Sequence, residues 1–124
     1  MRVFKNAWFS RFARKEQISN QALWEAVDRA ELGLIDADLG GGVIKQRIAR
    51  PGAGRSGGYR SLVLYRKGSN AFFVFGFSKN SQGNIRDDEQ EQFKRAAKIT
   101  LALTQEQVRV LIEKGQMEEV FRDA

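Results

Sequence analysis

The chain has 124 residues, of which 42% are apolar and 29% charged, with nine Phe, two Trp and two Tyr. This is ordinary for one soluble globular domain, read here as 1–124, and it supplies too much aromatic material for a disordered chain. Cys and His are both absent, which excludes a disulfide scaffold, a thiolate nucleophile, Cys- or His-based metal sites and imidazole acid–base chemistry. The formal net charge is +6.

The placement of that charge matters more than its size. Leu39 to Arg86 contains no acidic residue and nine cations: Lys45, Arg47, Arg50, Arg55, Arg60, Arg66, Lys67, Lys79 and Arg86. The rest of the chain carries 12 cations and 15 acids. A one-sided window of this kind is the footprint of a polyanion partner. No apolar run approaches the ~20 residues that cross a bilayer, and a cytoplasmic location without membrane attachment is expected.

In chain order, Arg2–Asn6 reads as a short strand, and Trp8–Arg14 as a helix with Trp8, Phe9 and Phe12 on one side. The basic, acid-poor start is read as folded structure rather than a transit peptide. Ser19 is placed to cap a second helix whose stripe is Leu23, Val27 and Ala30, with Trp24 beside it and Gly33 at its end. Gly40-Gly41-Gly42 breaks the pattern. Asp36 and Asp38 read as turn residues. Val43–Ala49 alternates Ile44/Ile48 against Lys45/Arg47, so a strand puts the two cations on one face. Arg50–Gly58 reads as a loop. Tyr59–Arg66 and Ala71–Ser78 are apolar runs joined at Gly68-Ser69-Asn70, a hairpin of central strands. Asp87 with Gln90 opens a helix with stripe Phe93, Ala97 and Leu101. Thr104 with Gln107 opens another that stops at Gly115. Met117, Val120 and Phe121 are expected to close the fold. The class is α+β: a small antiparallel sheet flanked by N-terminal and C-terminal helices.

The glycines of the 50–58 loop do not form a phosphate-binding P-loop, since no Gly-Lys-Ser/Thr follows and the loop leads into a strand. Carboxylates are not grouped for a hard metal, and no cofactor is expected. Metal-free phosphoryl transfer on RNA remains open. It requires an activated 2′-oxygen, a stabilised phosphorane charge and a protonated leaving oxygen. Arg forks supply charge stabilisation and Lys can move protons. Lys45, Arg47, Arg60 and Lys79 on one sheet face would suit this chemistry. They would equally suit phosphate binding alone, and composition does not choose between the two.

The runs Lys45-Gln46-Arg47-Ile48-Ala49, Gly57-Gly58-Tyr59-Arg60, Phe73-Val74-Phe75-Gly76-Phe77-Ser78-Lys79-Asn80 with Asn84-Ile85, and Leu103-Thr104 through Gly115 to Glu119-Val120 resemble the RelE/HigB-like toxins of bacterial type II toxin–antitoxin systems. The resemblance spans nearly the whole chain. It implies a metal-independent mRNA endonuclease acting on translating ribosomes and held inactive by a cognate antitoxin, often a helix-turn-helix protein. By position it assigns Lys45, Arg47, Arg60 and Lys79 to catalysis. Arg55 sits where relatives carry a loop cation, and Arg50, Tyr59, Arg66 and Arg86 join it as candidates for RNA contact. The His, or the Tyr near the C-terminus, that some relatives use for proton transfer has no counterpart here. Two alternatives share the fold: a non-catalytic nucleic-acid-binding or regulatory module, and a gyrase-inhibiting ParE-like toxin.

Overall fold

The computed structural model describes residues 1–50, 54–78 and 87–122, with the backbone alone at 54–56. The elements run β1 (Arg2–Asn6), α1 (Ala7–Glu16), α2 (Asn20–Glu31), β2 (Ala37–Gly40), β3 (Val43–Arg50), β4 (Gly54–Tyr65), β5 (Asn70–Ser78), α3 (Asp87–Thr100), α4 (Gln105–Glu113) and β6 (Met117–Val120). The six strands form one sheet in the order β2-β3-β4-β5-β1-β6. Every pairing is antiparallel except β1 with β5. The architecture is α+β, as the sequence order predicts.

Local chemistry starts and stops the helices where the sequence marks them. Asn6 accepts from the Phe9 amide and caps α1. Ser19 does the same for α2 through Ala22. Thr104 and Gln107 complete a reciprocal capping box on α4. Each bond satisfies an amide that the first helical turn cannot. Gly115, with φ +74°, takes the left-handed position after α4.

Two cores sandwich the sheet. On one face α1 and α2 bury Phe9, Ala13, Leu23, Ala26, Val27 and Ala30 against Ile44, Ile48, Val63 and Phe73. On the other, α3 and α4 bring Ala97 and Val108, with Phe93, Leu101 and Ile112, onto Phe4, Val43, Leu62, Leu64 and Phe72. This double coverage explains the near-continuous apolar character of β4 and β5. At Gly76 the first layer comes so close that a Cβ would lie 2.7 Å from the Phe12 ring.

Three expectations are corrected. The 50–58 segment is not a nine-residue loop. β3 and β4 still pair at Arg50 and Gly54, because cross-strand bonding overrides the loop composition of the glycines. Only 51–53 of that segment lie wholly outside the described residues. Asp38 belongs to edge strand β2, paired with Ile44, not to a turn. Phe121 does not close the core: it follows β6 and is exposed. β6 itself forms as expected and lies against β1.

Candidate functional site

Strand alternation builds the site. Ile44, Gln46 and Ile48 turn toward α2, so Lys45 and Arg47 emerge on the opposite face. Arg60 on β4 is the direct register partner of Arg47, and Leu62 is the partner of Lys45. Arg60 is flanked on its other side by Phe77 of β5. Leu62 and Leu64, further along β4, lie under α3 and α4. The three cations therefore sit on the same face as that second core, toward the end of the sheet at which β3 and β4 join.

Their environments differ. Arg47 is exposed, while Lys45 and Arg60 are half-buried. The Nη1 of Arg60 is buried and has no hydrogen-bond partner among the described residues. A buried donor without an acceptor costs free energy unless a ligand or water supplies one. An anion at this point would satisfy the donor and neutralise the Arg47/Arg60 pair together.

The other predicted positions separate into groups. Arg50 is exposed at the end of β3, with its guanidinium 5.7 Å from the centre of the Tyr59 ring. Tyr59 itself is buried on the α1/α2 side. Its ring meets Phe12 edge-on, and its hydroxyl donates to the Glu16 carbonyl. Burial raises its pKa, with Glu16 adding to that effect and Arg50 opposing it. Arg66 lies beyond the opposite end of β4 and donates to the Leu101 carbonyl. The structure thus brings Lys45, Arg47 and Arg60 together. It does not bring Arg50, Tyr59 or Arg66 to their face: Tyr59 and the Arg50 guanidinium over it lie on the α1/α2 side, and Arg66 lies at the far end of β4. Arg55 lies on β4, where only the backbone is described. Lys79 and Arg86 fall outside the described residues.

Several polar residues escaped the sequence reading. Gln46 is fully buried, donates to the Ala26 carbonyl and accepts from the Asp36 amide. Ser61, also buried, donates to the Gln46 carbonyl. Arg29, buried on α2, reaches Glu25, Asp36 and the backbone carbonyl of Arg47. The only local signal was Glu25 four residues before Arg29, a common helix-surface spacing. Among the described residues no group of three or more acidic side chains lies together as a metal site would need. No described helix is long and apolar enough to cross a membrane.

The structure is a six-stranded α+β sheet layered by helices, with two opposed cations toward one end of one face. The family described as RelE toxin of the RelE/RelB toxin–antitoxin system matches residues 1–120. The chain belongs to this RelE toxin family, whose members are paired with an antitoxin. Comparison with individually curated proteins finds no match.

Proposed function

We propose that the chain is an mRNA interferase of the RelE/HigB type: a metal-independent endoribonuclease that cuts mRNA on translating ribosomes in the cytoplasm. The observation that carries this reading is the Arg47/Arg60 pair, two register-paired cations on one face, one with a buried guanidinium nitrogen that has no partner among the described residues. Such a pair suits an oxygen-rich anion whose charge increases during reaction.

In the proposed step the RNA 2′-oxygen attacks its own 3′-phosphorus. A P–O2′ bond forms, the P–O5′ bond breaks, and a 2′,3′-cyclic phosphate and a 5′-hydroxyl result. The 2′-proton leaves to a base and the 5′-oxygen gains a proton. Arg60 and Arg47 hold the non-bridging oxygens as the phosphorane charge develops. Lys45, beside them, is the described candidate for proton transfer, and Lys79 is the second candidate by family position. Arg55 and Arg86 are assigned to the RNA backbone by their place in the sequence. Arg50, Tyr59 and Arg66 are left out of the RNA surface because of where they lie.

The test is end-mapping of mRNA on ribosomes with purified protein. Cyclic-phosphate ends at discrete positions, suppressed by the antitoxin, are expected. An unmodified chain that binds RNA without cutting it would point to a regulatory module. Loss of gyrase activity without RNA cleavage would point to the ParE-like alternative.

A further inference from the structure

Strand β2 begins too late to hold all of β3. The last register pair on this side is Ala37 with Lys45. Two residues further on, Arg47 would face Ile35, but Ile35 packs against the helical core instead. The outward backbone groups of Arg47 would then have no partner, at the strand position that carries an exposed cation. Side chains fill the gap. The Arg47 amide donates to Asp36 Oδ2 at 2.7 Å, and the Arg47 carbonyl accepts from Arg29 Nη2. Arg29 Nη1 also donates to that same Asp36 oxygen at 3.3 Å, and its Nε donates to Glu25 Oε1 at 2.9 Å. The Arg29 side chain is only 10% exposed. Its fork is held by two carboxylates and a carbonyl, as a guanidinium allows and an ammonium does not.

We infer that Arg29 and Asp36 are positioning residues for Arg47: they substitute for a missing stretch of strand and fix the backbone from which Arg47 reaches phosphate. The inference rests on the proposed nuclease reading. Neither residue emerges on the cationic face, so neither acts on RNA directly. On one side β4 pairs along β3 with Arg60 opposite Arg47, and on the other the Asp36–Arg29 pair takes both backbone groups of Arg47. Displacement of about 1 Å at a reacting centre can cost ~10²-fold in rate.

The experiment uses the full chain on mRNA-programmed ribosomes, with single-turnover cleavage as the readout. Asp36→Ala is the informative variant, because Arg29 keeps Glu25 and the Arg47 carbonyl and no buried charge is orphaned. The Asp36 amide bond to Gln46 is also untouched. Asp36→Ala should slow cleavage by ~10- to 10²-fold, and the Arg47 amide should lose hydrogen-exchange protection. Asp36→Asn retains an acceptor oxygen and should recover most of the rate. A doubly substituted Asp36→Ala/Arg47→Ala chain should be no slower than Arg47→Ala alone, since the first change acts through the second residue. Full additivity would overturn the inference, as would an Asp36→Ala chain that loses thermal stability but cleaves at the unmodified rate. Either result leaves the nuclease reading standing. An unmodified chain that never cleaves overturns both.

Discussion

Arg47 and Arg60 are direct register partners across β3 and β4, on the same face of the sheet. Like charges directly opposite each other destabilise a strand pair. Nothing in the fold requires this arrangement, since the adjacent pair places Lys45 opposite Leu62. The opposed arginines are a local cost that a bound anion removes. Stability and activity should therefore separate at this position. Arg47→Thr keeps β propensity and removes the repulsion, so Tm should stay level or rise by a few degrees. Single-turnover cleavage should fall by ~10²-fold, the scale of removing one charge-stabilising donor. Thermal denaturation paired with the cleavage assay checks both. A Tm that falls with the rate would mean that Arg47 supports the fold instead.

Salt dependence examines the cationic face as a surface. Removing one cation that binds a phosphate should reduce the slope of log affinity against log salt by about 0.7 to 0.9. Arg47→Ala should remove about one such increment without unfolding the protein, because the Arg47 side chain is exposed on that face. Arg66→Ala should leave the slope unchanged, because Arg66 is engaged with Leu101 far along β4. Equal slopes for both variants would indicate a diffuse charge effect rather than a face.

Much of this arrangement was readable from residues alone. Alternation of Ile44/Ile48 with Lys45/Arg47 placed the cations on one face, and the Thr104/Gln107 pair placed the start of α4. Other features lay outside local pattern. The Arg47–Arg60 register depends on a pairing set by the whole hairpin, which reaches Arg50 and Gly54 through glycines that read as loop. Tyr59 lies next to Arg60 in sequence, yet strand parity sends it to the opposite layer. Gln46 is polar at a position where alternation calls for an apolar side chain. Its buried amide is legible only once Ala26, Leu34 and Asp36 are seen around it. Arg29 and Asp36 act on Arg47 from 18 and 11 residues away, a distance no helix or strand period spans.

Gly76 reports on how tightly α1 is seated. An added Cβ would meet Phe12 at 2.7 Å and Phe9 at 3.1 Å, and both rings belong to a packed aromatic group with Phe73 and Tyr59. Gly76→Ala should cost about 1–3 kcal/mol through overpacking, visible as a Tm lowered by several degrees. Gly33→Ala has open space around its Cβ but a φ of +85°. Its smaller loss would come from backbone strain alone.

An acid-sensitive contact ties the chain end to α2. Arg122 donates through both terminal nitrogens to Asp28 at 2.9 Å and lies 4.0 Å over the Trp24 ring. These hydrogen bonds hold the Asp28 carboxyl below its usual range; partial burial opposes them and the opposite charge assists. A depressed folded pKa contributes stability that is present above the unfolded value, near 4, and is lost as pH falls through the folded value. The pair is solvent-exposed, so the effect on stability is small. The optical effect should be clear. In a Trp8→Phe chain, Trp24 fluorescence should shift as pH falls below 4, before far-UV circular dichroism is lost. Asp28→Asn should abolish the step. A step that persists in that variant would assign it to another carboxyl.

The final prediction concerns Arg60, which separates catalysis from anchoring. Arg60 lies between Arg47 and Phe77 in register, and its Nη1 is buried without a partner among the described residues. An Ala replacement removes that unsatisfied donor, so the fold should survive and stability should not fall by more than about 1 kcal/mol. If Arg60 stabilises charge that develops only in the transition state, Arg60→Ala should lower the cleavage rate by ~10²-fold or more. Ribosome affinity should change far less, since Lys45 and Arg47 remain on the same face. Arg60→Lys keeps the charge but loses the planar fork, and should recover binding more fully than rate. Lys45→Ala should likewise lose ~10²- to 10⁴-fold in rate if it transfers a proton. The measurement is single-turnover cleavage beside equilibrium binding on the same mRNA-programmed ribosomes. Rate and affinity falling together in Arg60→Ala would show that the guanidinium anchors ground-state phosphate and does not act on the reacting one.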